Sequence, residues 1–452
     1  MKDYEMDFST GSLWKKILVF SIPLMFSNIL QVVFNMADVA VVGKFAGSIA
    51  LGSVGSTSIL VTLFIGLLLG FSSAVNTLTA RYIGSKDVKN IKETVHTAAI
   101  ICTSAGIIIM VLGIIFAYDV LSFMNTKDEL IEGAVIYLKI YLIGMPAMGI
   151  YNFGNAVLSA AGDTKRPLYY LIIAGIINII LNLFFVIVCK LGVVGVALAT
   201  VIAQCSSAFM IMRALICAKE SYKVELKELK ITPDKMKNIL KIGIPSAFQY
   251  AIFAIANLFV QTSVNSFNHI VVEGNSAATN ADSLVYDMMA AFYTACTSFM
   301  GQNLGAKKRD RVLKSYFICT IYSFLIGLVL GVSLYVFRYA FLGLFTNDLE
   351  VVEAGIKRLS IMALSYSVSA FMDCTIAASR GLGKTFIPTI IVIMGSCVFR
   401  VMWIYTVFAY FRTIESLYLL YVFSWMITAI AEIIYFVYSY RKEKWTTTEL
   451  VY

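Results

Sequence analysis

Apolar residues arrive in long uninterrupted runs, broken by short stretches rich in charge. Each run is long enough to cross a ~30 Å hydrocarbon layer as a helix of ~20 residues. Twelve runs are present, at roughly 14–43, 49–80, 94–118, 130–160, 167–189, 192–217, 238–267, 276–304, 314–340, 351–379, 386–411 and 414–440. Strands of a membrane barrel would instead alternate over ~10-residue segments. The pattern therefore predicts an all-α polytopic membrane protein with twelve transmembrane helices. The first run is too long for a signal-peptide core and lacks a small-residue cleavage site, so it is read as an uncleaved helix. Composition agrees: 59% of the 452 residues are hydrophobic and 14% are charged. Such a chain is too apolar for a soluble protein of this length.

The 36 basic residues are distributed unevenly. The N-terminus, the loops that follow even-numbered spans and the C-terminus hold 27 of them. The alternate loops hold five: Lys44, Lys127, Lys190, Arg338 and Arg412. Positive charge stays on the cytoplasmic side of a membrane protein. Both termini are thus expected in the cytoplasm of a multi-pass protein of the plasma membrane. The net charge of +9 is explained by topology, and no nucleic acid is implied.

The chain also repeats itself. "IPLMFSN" (22–28) answers "IPSAFQY" (244–250) at an offset of 222, and "ARYIGSKDVKNIKE" (80–93) answers "GQNLGAKKRDRVLK" (301–314) at 221. "MNTKDELIEGA" (124–134) answers "LFTNDLEVVEAG" (344–355), and "GDTKRP" (162–167) answers "GKTFIP" (383–388). Pro23 pairs with Pro245 and Pro167 with Pro388 in this register. Two six-span halves follow, inserted in the same orientation because six is even. A parallel repeat of this kind is a transporter architecture. The predicted division is a six-helix lobe over 1–217, a cytoplasmic linker over 218–237, a second six-helix lobe over 238–440 and a cytoplasmic tail over 441–452. Within the linker, Thr232-Pro233-Asp234 reads as a helix start, with a cap, a proline in the first turn and an acid near the N-terminus. A short amphipathic helix is expected there, leading into the seventh span.

Against this apolar background, charged and polar residues inside spans stand out. Asp38 is the only charged side chain between Ile17 and Gly43. It lies 22 residues beyond Lys16, which is ~33 Å of helix. That depth admits an interfacial carboxylate paired with Lys44. It equally admits a proton or cation site facing an internal cavity, the usual role of intramembrane acids. Asn35 lies at i−3, and Asn178 and Asn182 share a face of the fifth span, with Thr200 in the sixth. These three either bond helix to helix or bring oxygens to a cation site with Asp38. The repeat mates of Asn35 and Asp38 are Asn257 and Val260, so the asparagine recurs and the acid does not. In the second half, Asp373, Asp287, Asn257, Gln261 and Arg400 form a candidate polar site. Asp373 is the acid taken as partner for Arg400. Asp282 and Asp287 differ by five residues and point ~140° apart, and Asp282 is read as the more structural of the two.

Other chemistries fit poorly. Eight cysteines lie mostly in apolar runs without CxxC spacing, and only two histidines exist, so no metal site is expected beyond a possible Na⁺ at the Asp38 group. "ASRGLGKT" (378–385) has Ala378 where a phosphate loop needs glycine, and it follows a helix. A membrane-embedded enzyme would need His, Asp or Glu at catalytic spacing. Aromatic and methionine side chains (31 Phe, 25 Tyr, 19 Met) suit either an adaptable cavity or a lipid-facing surface.

"FNMADVAVVGKF...ALGSVG" (34–55), "ARYIGSKD" (80–87), "SAAGDTKRP" (159–167), "NIILN...GVALAT" (178–200) and "SRGLGKTFIP" (379–388) resemble the multidrug and toxic compound extrusion (MATE) family. The resemblance runs over essentially the whole chain. It implies two six-helix lobes around a central cavity. It also implies an antiporter, without enzymatic activity or cofactor, that exchanges amphipathic, often cationic, organic compounds for H⁺ or Na⁺. Asp38 matches the family's first-helix aspartate, and Asn178 and Thr200 match its polar partners. Asn182 departs from the aspartate often found there. Asp373 falls about one turn from the family's tenth-helix acid. The implied partners are the lipid bilayer and small organic substrates, with a functional monomer. The rival reading is a flippase for lipid-linked saccharides of the same broad superfamily, which predicts a strongly basic cavity. A major-facilitator transporter would carry a glycine- and arginine-rich loop that "RYIGSKDVKN" does not match.

Overall fold

The computed structural model describes residues 6–124 and 126–443, so most of the expected tail at 441–452 lies outside the described residues. The apolar runs fold as helices because only helices satisfy every backbone group within a single segment in lipid. They are α1 (Leu13–Val41), α2 (Ser48–Gly84), α3 (Val88–Phe123), α4 (Asp128–Ile143), α5 (Met145–Ala160), α6 (Lys165–Leu183) and α7 (Gly192–Ile216). There follow α8 (Pro233–Val264), α9 (His269–Gly305), α10 (Arg309–Val336), the short α11 (Arg338–Leu342) and α12 (Leu349–Gly381). α13 (Phe386–Val392), α14 (Phe399–Trp403) and α15 (Ala409–Phe411) are joined into one rod by π turns at Ile393–Val398 and Ile404–Phe408, and α16 (Ile414–Lys442) ends the described chain. Further π turns extend α1 (Val42–Ala46) and α6 (Phe184–Val188).

Ten of these helices are long and apolar enough to span a membrane, and α4–α5, bent by 46° at Gly144, make an eleventh when taken together. The twelfth expected span is α9. It has ample length but carries Glu273, Asn275, Asn280, Asp282 and Asp287 along its first half. Twenty of its 37 residues are buried. α9 thus buries Asn275 in the protein, leaves Asp282 and Asp287 half-buried and exposes Glu273 and Asn280. Several helices begin where a side chain caps them: Asn268 accepts from the Val271 N–H, Asp348 from the Glu350 N–H at 2.9 Å and Thr413 from the Ser416 N–H at 3.2 Å.

The chain forms two compact units. The N-terminal unit comprises Pro23–Thr79 and Val88–Ala254. The C-terminal unit comprises Asp7–Ile22, Ala80–Asp87 and the chain from Ile255 on. The sequence division at 218–237 therefore differs from the packing, because the opening halves of α1 and α8 are traded between units. Phe8 shows why: its ring stacks on Phe299 at 3.9 Å, and its carbonyl accepts from Arg311 at 2.9 Å. Gly84 and Gly305, which occupy matched places in the repeat, make a close approach within the C-terminal unit. A Cβ on Gly84 would sit 1.9 Å from the Gln302 carbonyl oxygen, and one on Gly305 1.9 Å from that of Arg81. Only glycine permits such backbone contact.

The linker in the N-terminal unit is tied to α3. Lys92 pairs with Glu228 at 2.7 Å and with Glu225 at 3.3 Å, and His96 Nε2 accepts the Glu225 N–H at 3.0 Å. The bonded Lys92 ammonium holds the Glu228 carboxyl below the usual carboxylate range. No separate amphipathic helix forms, because α8 runs unbroken from Pro233 to Val264. The Thr232 hydroxyl is buried without a hydrogen bond, so Thr232 does not act as the expected cap. Pro233 and Asp234 do open the helix.

Candidate functional site

Three helices of the N-terminal unit converge on Asp38. It sits on α1, one turn before the π turn, and is partly buried. α6 contributes Asn178 and Asn182, four residues apart and both buried, and α7 contributes Thr200. The Asn182 amide donates to Asp38 Oδ1. The same amide nitrogen lies 3.3 Å from Asn178 Oδ1, and Asn178 donates to Thr200 Oγ1 at 3.4 Å. Thr200 Oγ1 is 3.4 Å from Asp38 Oδ2 and 3.0 Å from the Val196 carbonyl oxygen. The hydroxyl carries a single hydrogen, which it can donate either to Asp38 Oδ2 or to the Val196 carbonyl. Asp38 thus takes the Asn182 amide on one oxygen and faces the Thr200 hydroxyl with the other. Asn182 Oδ1 is itself buried without a hydrogen bond. One oxygen of the cluster, Asn182 Oδ1, thus lacks a donor beside the carboxylate, and a proton on Asp38 or a small cation could serve it.

Packing fixes these groups. The Phe34 ring fills the space over Gly175 on α6, where a Cβ would meet ring carbons at 1.9–2.5 Å. Tyr137 and Tyr141 are buried on α4, within electrostatic reach of Asp38. Asp38 does not pair with Lys44; the Lys44 ammonium lies 5.7 Å from the Phe45 ring. Asn35 is exposed and makes no hydrogen bond to the group. Three residues turn a helix by ~300°, so Asn35 is ~60° away from Asp38 around α1 and outside the cluster.

The C-terminal unit arranges its charges differently. Asp282 accepts from Arg358 and from Tyr366, and Arg358 also donates to Asn275 Oδ1 at 2.9 Å. Arg358 is further covered by the Tyr418 and Tyr421 rings, at 5.1 and 5.2 Å. Asp282 is thus a structural acid. Asp373 accepts from the Tyr286 hydroxyl at 2.7 Å. The expected pairing of Asp373 with Arg400 is not found. Arg400 donates to Asn257 Oδ1 at 3.0 Å and to Ser424 Oγ at 3.3 Å, under the Tyr421 ring at 4.6 Å. Neutral acceptors and a π face satisfy a buried guanidinium without a carboxylate. Gln261 donates along its own helix to Asn265 at 2.9 Å, and Asp287 is half-buried on α9. Of the five candidates, Asn257 bonds Arg400 directly, and Asp373 lies within electrostatic reach of Arg400 without an ion pair.

Sequence reasoning missed Tyr286, Arg358 as the partner of Asp282, and Glu432. Glu432 carried the same signal as Asp38: it is the only charged residue between Glu415 and Arg441. It is fully buried.

Comparison with known proteins adds the family. The family model MatE matches twice, over residues 23–184 and 245–406, an offset of 222 that coincides with the internal repeat. The probable multidrug resistance protein YoeA of Bacillus subtilis (strain 168) is 27% identical over 394 residues, covering 86% of this chain and 85% of its own. The probable multidrug resistance protein YpnP of the same organism is 28% identical over 366 residues, 81% of each chain. Among solved structures, a MATE protein crystallised in complex with MaL6 superposes with a TM-score of 0.90 at 22% identity, covering 98% of this chain and 99% of that one. That likeness concerns the fold, and the double match of the family model extends over most of the sequence. The chain belongs to the MatE family, the multidrug and toxic compound extrusion proteins that its motifs resemble.

Proposed function

We propose that this protein is a secondary active antiporter that exports amphipathic, often cationic, organic compounds in exchange for H⁺ or Na⁺, with Asp38 as the coupling residue. The observation that carries this reading is the Asp38 cluster. A single carboxylate on α1 is held by one amide, faces the Thr200 oxygen at 3.4 Å and has the unpartnered Asn182 oxygen beside it. A proton on Oδ2 would be donated to Thr200 and would neutralise the only charge in the group. Loading the cation removes a buried charge; releasing it restores one that α1 must carry to water or to new donors. Alternating cation occupancy thereby biases the position of α1, and the drug-loaded state follows. Family membership and the names of the multidrug resistance relatives support the substrate class.

Proton coupling is favoured over sodium. Both asparagine nitrogens point into the cluster, as donors to oxygen. Sodium would require the Asn182 amide to turn so that its oxygen replaces its nitrogen. With asparagine at 182 the group also carries one negative charge where an aspartate pair would carry two. The basic-residue asymmetry supports a topology with both termini in the cytoplasm. The test is export of a fluorescent organic cation in everted vesicles, driven separately by ΔpH and by a Na⁺ gradient. Drive by ΔpH in sodium-free buffer supports the reading; drive by sodium alone replaces H⁺ with Na⁺. Drive by neither overturns the antiport assignment.

A further inference from the structure

The interior of the C-terminal unit holds a carboxyl group with no partner. Glu432 on α16 is 0% exposed, and neither of its oxygens makes a hydrogen bond. None of the ion pairs among the described residues includes it. Its surroundings on the same helix are settled. One turn earlier, Thr428 shares a hydrogen bond with Ser396 at 2.9 Å and donates to the Ser424 carbonyl at 2.7 Å. One turn later, the Phe436 ring packs on Tyr316 of α10 at 4.6 Å. From α12, Asp373 and Arg380 lie within electrostatic reach of Glu432. Other titratable or charged groups on elements packed against α16 include Lys357, Arg358, Tyr366 and Cys374 on α12, Cys397 and Tyr405 in the π turns, Arg400 on α14 and Tyr316 on α10. Asp373 takes the Tyr286 hydroxyl, and the charged ones among these others have partners too: Arg400 donates to Asn257 and Ser424, Arg358 pairs with Asp282 and Lys357 with Glu415.

An ionised carboxylate stripped of water and given no donor is strongly unfavourable, and such groups neutralise by taking up a proton. Two neighbouring acids in one dry interior reinforce this, since like charges oppose joint ionisation. We propose that Glu432 is a proton-binding site of the C-terminal unit, loaded with one H⁺ in the conformation seen here. The O–H bond of its carboxyl breaks, and the proton passes to water, in a second conformation that brings donors to the carboxylate. Arg380 is the cation within its reach for that state. The site involves the C-terminal unit alone and does not depend on the role of Asp38.

Infrared difference spectroscopy tests it on the purified full-length protein in lipid, between mildly acidic and alkaline buffer, in H₂O and in D₂O. The wild type is expected to show a protonated-carboxyl carbonyl band that shifts in D₂O and diminishes at alkaline pH. Glu432→Gln should remove that band, and Asp38→Asn should leave it. A spectrum unchanged by Glu432→Gln means that Glu432 is ionised and overturns the proposal. A Glu432 band that persists undiminished in alkaline buffer overturns proton release. Thermal unfolding guards against a folding artefact. Glutamine is a neutral isostere of the protonated acid, so Glu432→Gln should melt within a few degrees of wild type. A large drop would instead reveal a charged, paired glutamate and contradict the assignment.

Discussion

The 222-residue repeat sets Asn35, Asp38, Asn178 and Asn182 of the N-terminal unit in register with Asn257, Val260, Arg400 and Ile404 of the C-terminal unit. The acid of one half thus answers an apolar residue in the other, and the cation of the second half answers an asparagine in the first. In the N-terminal unit a carboxylate takes the Asn182 amide and faces the Thr200 hydroxyl, beside one amide oxygen that lacks a donor. In the C-terminal unit a guanidinium donates to Asn257 and Ser424 and lies under the Tyr421 ring. The difference is functional because the two charges differ chemically. A carboxylate can take up and release a proton or a small cation. A guanidinium stays protonated. On the proposed function the first is the site whose charge varies, and the second is a strut.

The comparison breaks first where a strut is removed. Arg358→Met leaves the half-buried Asp282 with Tyr366 alone and should lower stability by about 3 kcal/mol, the low end for orphaning one member of a buried pair, because Asp282 keeps some contact with water. Thermal unfolding in detergent checks this, and adding Asp282→Asn should recover part of the loss. Arg400→Gln comes next, with about 1–3 kcal/mol for the polar groups left unserved. Its transport should keep the wild-type ion dependence; a change in coupling ion would mean that the strut takes part in coupling. Asn182→Asp sharpens the contrast from the other side. A second carboxylate in the cluster should introduce stimulation of transport by Na⁺ that the wild type lacks, read as initial rates in vesicles with and without sodium. The smallest effect belongs to Thr200→Val. Interhelical hydrogen bonds in membranes average about 0.6 kcal/mol, so its stability should barely change. Its rate at limiting driving cation should still fall several-fold, because the oxygen facing Asp38 is gone.

Much of this architecture was legible in the sequence. Continuous apolar runs and matched prolines and glycines announce helices and a repeat because those features report on local backbone and on lipid. α9 was the least apolar of the runs, since its first half carries polar residues, Glu273, Asn275, Asn280, Asp282 and Asp287, where other spans carry apolar ones. The trading of Asp7–Ile22 and Ala80–Asp87 between units was not legible. It depends on contacts such as Phe8 with Phe299, between positions nearly three hundred residues apart. The Asp38 partners on α6 and α7 were legible through residue type and family pattern. Asn35 was placed in the group by helical spacing, but spacing does not fix which edge of a helix faces its neighbours. The error over Arg400 had a similar source. Sequence identifies a buried cation as needing partners, and it cannot say that an asparagine, a serine and a tyrosine ring will serve in place of an acid.

The most direct test of the central claim compares wild type with Asp38→Asn in everted vesicles, measuring ΔpH-driven export of a fluorescent cation together with the accompanying proton flux. Asparagine preserves the size of the side chain and its contact with Asn182 but fixes its charge at zero. The account predicts that the variant folds normally, still binds the fluorescent cation, and loses both export and drug-dependent proton flux. Normal export by Asp38→Asn, with wild-type dependence on ΔpH, would contradict it.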